Sequence, residues 1–148
     1  MRTAITYRFL PRLSAGLVYY PRGEKVSVVA NWLGISETRR SPALILGTSP
    51  DRIGTPSGQS FYANVSKSLK RETRLPIAPY VGVAYGTYDK RFRPIGGLNI
   101  GLTQRFTSLV IFDGVHVHPT LNFSTGRHGA SFILVRAKNP GLSYSISF

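Results

Sequence analysis

Near its C-terminus the chain swaps apolar and polar residues at every step, and this pattern restricts its folds more than any other feature. Leu142, Tyr144, Ile146 and Phe148 fall on one face of an extended segment, and Ser143, Ser145 and Ser147 on the other. Residues 115–124 repeat the pattern: Val115, Val117, Leu121 and Phe123 alternate with His116, His118, Thr120, Asn122 and Ser124. Leu98, Ile100 and Leu102 alternate likewise with Asn99, Gly101 and Thr103. Strand side chains point to opposite faces in turn, so each segment carries one apolar and one polar face. One such window is expected about once by chance in a chain of this composition. Three in the last third, each bounded by turn residues, are not. No segment shows a helical period of similar clarity.

Turn signals cut the whole chain into short pieces. Strand candidates run over residues 3–9, 13–20, 26–35, 42–48, 61–69, 77–88, 95–103, 106–112, 115–124, 128–138 and 141–148. Between them lie Leu10-Pro11-Arg12, Pro21-Arg22-Gly23-Glu24, a polar stretch at 36–41, a long loop at 49–59, and charged turns at 70–74 and 89–93. Many short strands with regular turns imply a sandwich or a barrel. The 148 residues suffice for one domain. The expectation is an all-β chain, residues 1–148 forming a single antiparallel up-and-down barrel of about 8–12 strands. The segmentation gives about eleven. Single-chain bacterial membrane barrels have even numbers, and eight to ten is the preferred count.

The polar face is Ser, Thr, Asn, Gly and two His. It suits a crowded polar interior better than the Lys- and Glu-rich outside of a soluble sandwich. The charge is displaced elsewhere. Nineteen Lys and Arg oppose six acids, a formal net charge of +13. Most of these cations, among them Arg12, Arg39, Arg40, Lys70, Arg71, Arg74, Lys90, Arg105 and Arg127, fall in turns and would crowd the two rims. Such a charge points to a polyanionic neighbour: nucleic acid, lipopolysaccharide, acidic polysaccharide, or anions in a pore.

No apolar run approaches the roughly 18 to 20 residues of a transmembrane helix. A membrane crossing would therefore need a closed barrel, the other fold that satisfies all backbone polar groups in lipid. No signal peptide is visible after Met1 and Arg2. The sequence is then either a mature form or a piece of a longer barrel. Cysteine is absent, which excludes disulfides.

The terminal segment Gly141-Leu142-Ser143-Tyr144-Ser145-Ile146-Ser147-Phe148 resembles the last strand of bacterial outer-membrane β-barrels, which end in an aromatic residue preceded by alternating apolar residues. The hairpin Leu109-Val110-Ile111-Phe112-Asp113-Gly114-Val115 also looks like a barrel hairpin. The resemblance covers about the last 40 residues. It implies that Tyr144, Ile146 and Phe148 form an insertion signal read by barrel-assembly machinery. It further implies an outer-membrane location and contacts with membrane lipid and lipopolysaccharide.

Asp113, His116 and His118 form the one cluster of catalytic residue types. An acid–base pair or a two-His metal site is conceivable there. Asp113-Gly114 is equally a preferred hairpin turn, and no third ligand or nucleophile accompanies it. The turn reading is preferred, with no catalytic site, no metal and no cofactor expected. Interior-facing candidates are Asn99, Thr103, Asp113, His116, His118, Thr120, Asn122, Ser124, Ser143, Ser145 and Ser147. The expected role is a passive channel or an anchor, and not an enzyme, with basic rims meeting anionic lipid or polysaccharide. Two alternatives stand beside it. One is a soluble calycin-like barrel with its apolar face turned inward around a small ligand. The other is a basic domain binding polyanions; nucleic acid is disfavoured because no recognition motif is present.

Overall fold

The computed structural model describes residues 2–20, 25–51, 55 and 57–148. The expected turn at 21–24 and part of the loop at 49–59 lie outside the described residues, as do Arg22 and Arg52. Eleven strands follow one another: β1 (Arg2–Leu10), β2 (Leu13–Tyr20), β3 (Lys25–Ile35), β4 (Ala43–Pro50), β5 (Gln59–Ser66), β6 (Ile77–Gly86), β7 (Arg91–Gly101), β8 (Phe106–Phe112), β9 (Val117–Thr125), β10 (His128–Val135) and β11 (Asn139–Ser147). A single helical turn, α1 (Lys70–Thr73), stands where a charged turn is expected. The charged turn expected at 89–93 is shorter, because Arg91 and Arg93 already belong to β7.

Each strand pairs with its sequence neighbours, and the sheet closes on itself into one barrel. The count of eleven falls within the expected 8–12 and matches the segmentation, and the preference for an even number of eight to ten is corrected. An up-and-down sheet with an odd number of strands brings its first and last strands together pointing the same way. Accordingly β1 and β11 pair in parallel, Arg2 to Ser143 through Thr6 to Ser147, while every other neighbouring pair is antiparallel. The seam continues past β11, where the Phe148 N–H donates to the Thr6 carbonyl and the Arg8 N–H to the Phe148 carbonyl. By this alternation the even-numbered residues of β11 turn their backbone groups toward β1. The register of β1 against β11 runs from Arg2 opposite Ser143.

Eleven strands spaced about 4.8 Å apart and tilted by about 40° close on a backbone cylinder of radius about 11 Å. That is wider than an eight-stranded barrel, whose interior side chains fill. The strands hold 7 to 11 residues. At about 3.4 Å per residue and this tilt they rise roughly 18 to 29 Å along the axis.

The barrel is dressed in reverse of a soluble core. On the outward register stand Ile5, Leu17, Val28, Val65, Val81, Val83, Leu121, Phe132 and Leu142, all exposed. Among the described residues, no Asp, Glu, Lys or Arg occupies an outward strand position. Aromatic rings gather toward both ends of this surface. Tyr19, Phe61, Tyr85, Phe92 and Phe112 lie toward one rim, and Tyr7, Phe9, Phe106, Phe123, Tyr144 and Phe148 toward the other. Tyr85 meets Phe92 at 5.0 Å between ring centroids, and Phe106 meets Phe123 at the same separation. Two of the larger outward polar groups are partnered. Gln59 Nε2 donates to the Val28 carbonyl and to Thr48 Oγ1, each at 2.7 Å, and His128 Nδ1 pairs with the Tyr144 hydroxyl at 2.5 Å.

Candidate functional site: the lumen and its two rims

The inward register is built mainly of small and polar residues. It encloses a cavity of about 710 Å³ that reaches from Asp51, Asp89 and Asp113 at one rim to Thr6, Ser66 and Ala78 toward the other. Tyr62 and Tyr80 project into its middle, and glycine makes room for each. A Cβ on Gly47 would lie 2.6 Å from the Tyr62 ring, and one on Gly97 would lie 2.6 Å from the Tyr80 ring. The rings therefore lie against bare wall, and the Tyr62 hydroxyl bonds the Asn31 side chain. Sequence reasoning centred on the C-terminal third and missed these two tyrosines as lumen residues. Their signal was available as parity: Tyr62 shares a face with Ser60, Asn64 and Ser66.

Of the candidates, Asn99, Asp113, Ser143 and Ser145 line the cavity. His118 and Thr120 are buried within the wall side of the barrel, His118 with no exposed surface. Asn122 is half-buried, its Nδ2 3.4 Å from Thr107 Oγ1. Ser147 Oγ meets Thr6 Oγ1 at 3.0 Å. Ser124 is exposed at the end of β9, its N–H donating to the Arg105 carbonyl. Thr103 stands outside the strands: in the β7–β8 turn its Oγ1 accepts the Arg105 and Phe106 N–H groups. His116 belongs to the β8–β9 turn, one residue before β9. Tyr144 and Ile146 face outward with Phe148, whose ring lies 5.9 Å from the Arg127 guanidinium carbon.

The Asp113 cluster resolves into a turn with a buried clasp. Gly114 takes φ of +88°, and of the two central residues of this hairpin it alone is in the positive region, the type II′ pattern. Asp113 Oδ1 accepts the Val115 and His116 N–H groups at 3.0 and 2.8 Å, the Asx geometry that makes Asp-Gly a turn former. Its Oδ2 lies 2.9 Å from His118 Nε2, and His118 Nδ1 accepts the Arg136 N–H at 3.0 Å. An Nδ1 that accepts a backbone N–H carries no proton, so the hydrogen of the neutral ring sits on Nε2 and points at Asp113. Both ring nitrogens are thus engaged. Burial works to raise the Asp113 pKa, but hydrogen bonds from the His116 N–H, the His118 ring and the Val115 N–H outweigh it and hold the carboxyl below its ordinary value. His116 and His118 lie 6.3 Å apart between ring centroids, and no group of three metal-ligating side chains occurs among the described residues. The arrangement fixes two loops, β8–β9 and β10–β11, at one end of the lumen.

That end also holds the pair Arg93–Asp89, at 2.6 Å. The opposite end, where Phe148 lies, carries ten Lys and Arg against Glu37 and Glu72. Among the described residues, then, charge is confined to the rims and their immediate approaches. Comparison of the chain with protein-family models, with curated proteins and with solved structures finds no match.

Proposed function

We propose that this chain is a transmembrane β-barrel of a bacterial outer membrane, whose narrow lumen of mixed polarity gives small solutes a passive path and whose basic rims meet anionic lipid or polysaccharide. One observation carries the reading: among the described residues no strand turns an Asp, Glu, Lys or Arg outward, and apolar side chains predominate on that outward surface around the barrel. A barrel in water gains nothing from such a coat, and exposed apolar area on this scale is far beyond the few hundred Å² of a typical largest patch. In lipid it is the favourable arrangement. The axial rise of the strands matches an apolar band of about 25 Å, and the aromatic residues near both rims fall where interfacial girdles belong. The C-terminal aromatic strand supports the bacterial location by resemblance, and the odd strand count departs from it.

The calycin-like alternative needs the apolar face to line the cavity. The cavity wall is mixed, with Ser49, Ser60, Asn64, Asn99 and Ser143 beside Val18, Val29, Ile45, Ile95, Leu109 and Ile111, so what favours the membrane reading is the apolar outward register and not the lining of the lumen. Refolding the purified chain into neutral vesicles tests the proposal. A membrane barrel resists extraction, migrates differently on a gel before and after boiling, and admits small sugars to the vesicle interior. A chain that stays in solution without detergent and leaves vesicles intact overturns it.

A further inference from the structure

The cations at the Phe148 rim are not spread evenly. The β3–β4 loop at 36–42 and the β5–β6 loop at 67–76 flank the paired strands β4 and β5 and are clasped together. Lys67 Nζ donates to the Thr38 and Arg39 carbonyls at 3.0 and 2.9 Å, and the Ser68 N–H meets both Glu37 carboxylate oxygens at 3.2 Å. Each loop is also braced internally. Thr38 Oγ1 accepts the Ser41 N–H at 3.0 Å, and Thr73 N–H and Oγ1 both donate to the Leu69 carbonyl, at 2.9 and 2.8 Å. The clasp uses Lys67 and Glu37. It leaves Arg39, Arg40, Lys70, Arg71 and Arg74 exposed on one built platform, with Glu72 its other acid.

None of these five cations makes an ion pair among the described residues. Holding five like charges together costs free energy unless an anion sits among them. Next to the platform, Ile35 and Trp32 stand on the outward register of β3, 51% and 50% exposed, and Leu75 of the β5–β6 loop is 58% exposed. A charged shelf above an exposed apolar step matches a lipid, whose phosphates sit above its chains. Arginine's fork further suits phosphate oxygens, two at a time.

We infer that the Arg39–Arg40 and Lys70–Arg71–Arg74 platform binds the head group of a lipid carrying two or more phosphates, at the leaflet that the Phe148 rim faces. The inference rests on the membrane reading above and adds a specific partner and an orientation to it. A single-phosphate lipid would satisfy one fork at a time. Two linked phosphates engage both loops at once and gain the effective concentration of a linked pair.

The test uses the whole chain refolded into vesicles of phosphatidylcholine with a few mole per cent of either cardiolipin, which has two phosphates, or phosphatidylglycerol at matched charge. Lipids retained by the released protein are counted by native mass spectrometry. Cardiolipin is expected to be retained well above phosphatidylglycerol. The combined variant Arg39→Gln, Arg40→Gln, Lys70→Gln and Arg71→Gln should lose that retention about tenfold or more, since each basic residue near a membrane surface contributes about fivefold. Lys90→Gln with Lys138→Gln, at the opposite rim, should leave it unchanged. Equal retention of the two lipids, an unaffected fourfold variant, or stronger binding of an oligonucleotide than of cardiolipin at equal phosphate overturns the inference while the barrel remains inserted. Failure of the unmodified chain to insert into phosphatidylcholine alone overturns the membrane reading itself, and the lipid site with it.

Discussion

His118 Nε2 lies 2.9 Å from Asp113 Oδ2, and the ring that makes this contact has no exposed surface. The contact joins the β8–β9 turn to β9, and through His118 Nδ1 it reaches the Arg136 N–H in the β10–β11 hairpin at the same rim. That hairpin needs support, because Arg136 and Ala137 adopt φ of 56° and 55° without being glycine. Each such residue costs about 1 to 2 kcal/mol.

Replacing Asp113 by Ala removes the acceptor of two backbone N–H groups and strands the buried Nε2–H of His118. We expect a loss of about 2–4 kcal/mol in folding stability, since an unsatisfied buried donor and a lost charge-assisted bond both count. A urea titration followed by the gel shift of folded against unfolded chain measures it. Ala137→Gly should move the same midpoint the other way, by about 1 kcal/mol, because glycine tolerates the positive φ.

Asp113 also sets a pH dependence. Its folded pKa is lowered below the ordinary carboxylate value. A group of that kind contributes stability above its unfolded pKa of about 3.9, and the contribution is lost as pH falls toward and through the folded pKa. The urea midpoint should therefore hold between pH 5 and 7 by this group's account and decline below about pH 4. Asp113→Asn should be less stable at neutral pH and should show a shallower decline. An equally steep decline in the variant would assign the acid sensitivity to other groups.

Val81 sits mid-strand in β6, outward and 61% exposed. In lipid, Val81→Arg should cost about 2–4 kcal/mol, the depth-dependent cost of a cation on a barrel's lipid face. On a soluble barrel the same exposed substitution would change stability by no more than about 0.5 kcal/mol. Refolding yield and urea midpoint in vesicles distinguish the two, and a neutral Val81→Arg would sink the membrane assignment.

The parallel seam can be read directly, because the chain contains no cysteine to interfere. Ile5 and Ile146 are register partners across it. Ile5→Cys with Ile146→Cys should crosslink under mild oxidation, since neighbouring-strand partners lie within disulfide reach. Ile5→Cys with Leu142→Cys should not, being four residues out of register. Crosslinking of the second pair in place of the first would mean a different closure.

Gly97 tests the lumen wall. A Cβ there would lie 2.2 Å from the Val110 carbonyl oxygen and 2.6 Å from the Tyr80 ring. Gly97→Ala should cost about 3 kcal/mol, as backbone cannot yield the way a side chain can. Gly126→Ala meets no atom within 4 Å and should cost only the strain of its φ of +54°, about 1 kcal/mol, by the same urea titration.

The sequence by itself determined which side chains share a face. Strand side chains alternate whatever surrounds them, so Leu142, Tyr144 and Ile146 had to part from Ser143, Ser145 and Ser147, and the turn residues had to interrupt each run. Those are local facts of backbone geometry, legible one segment at a time. Only the tertiary structure decided which face looks out, because alternation is symmetric between a dry core and a lipid-facing coat. It also decided that the eleven segments close as an odd-numbered barrel, against the even count preferred, since closure depends on Ile5 meeting Ile146 across nearly the whole chain. The His118–Arg136 bond and the clasp of Lys67 onto Thr38 and Arg39 likewise join residues far apart in the chain. Such contacts form where two strands or loops become neighbours, and no pattern within either segment records the other.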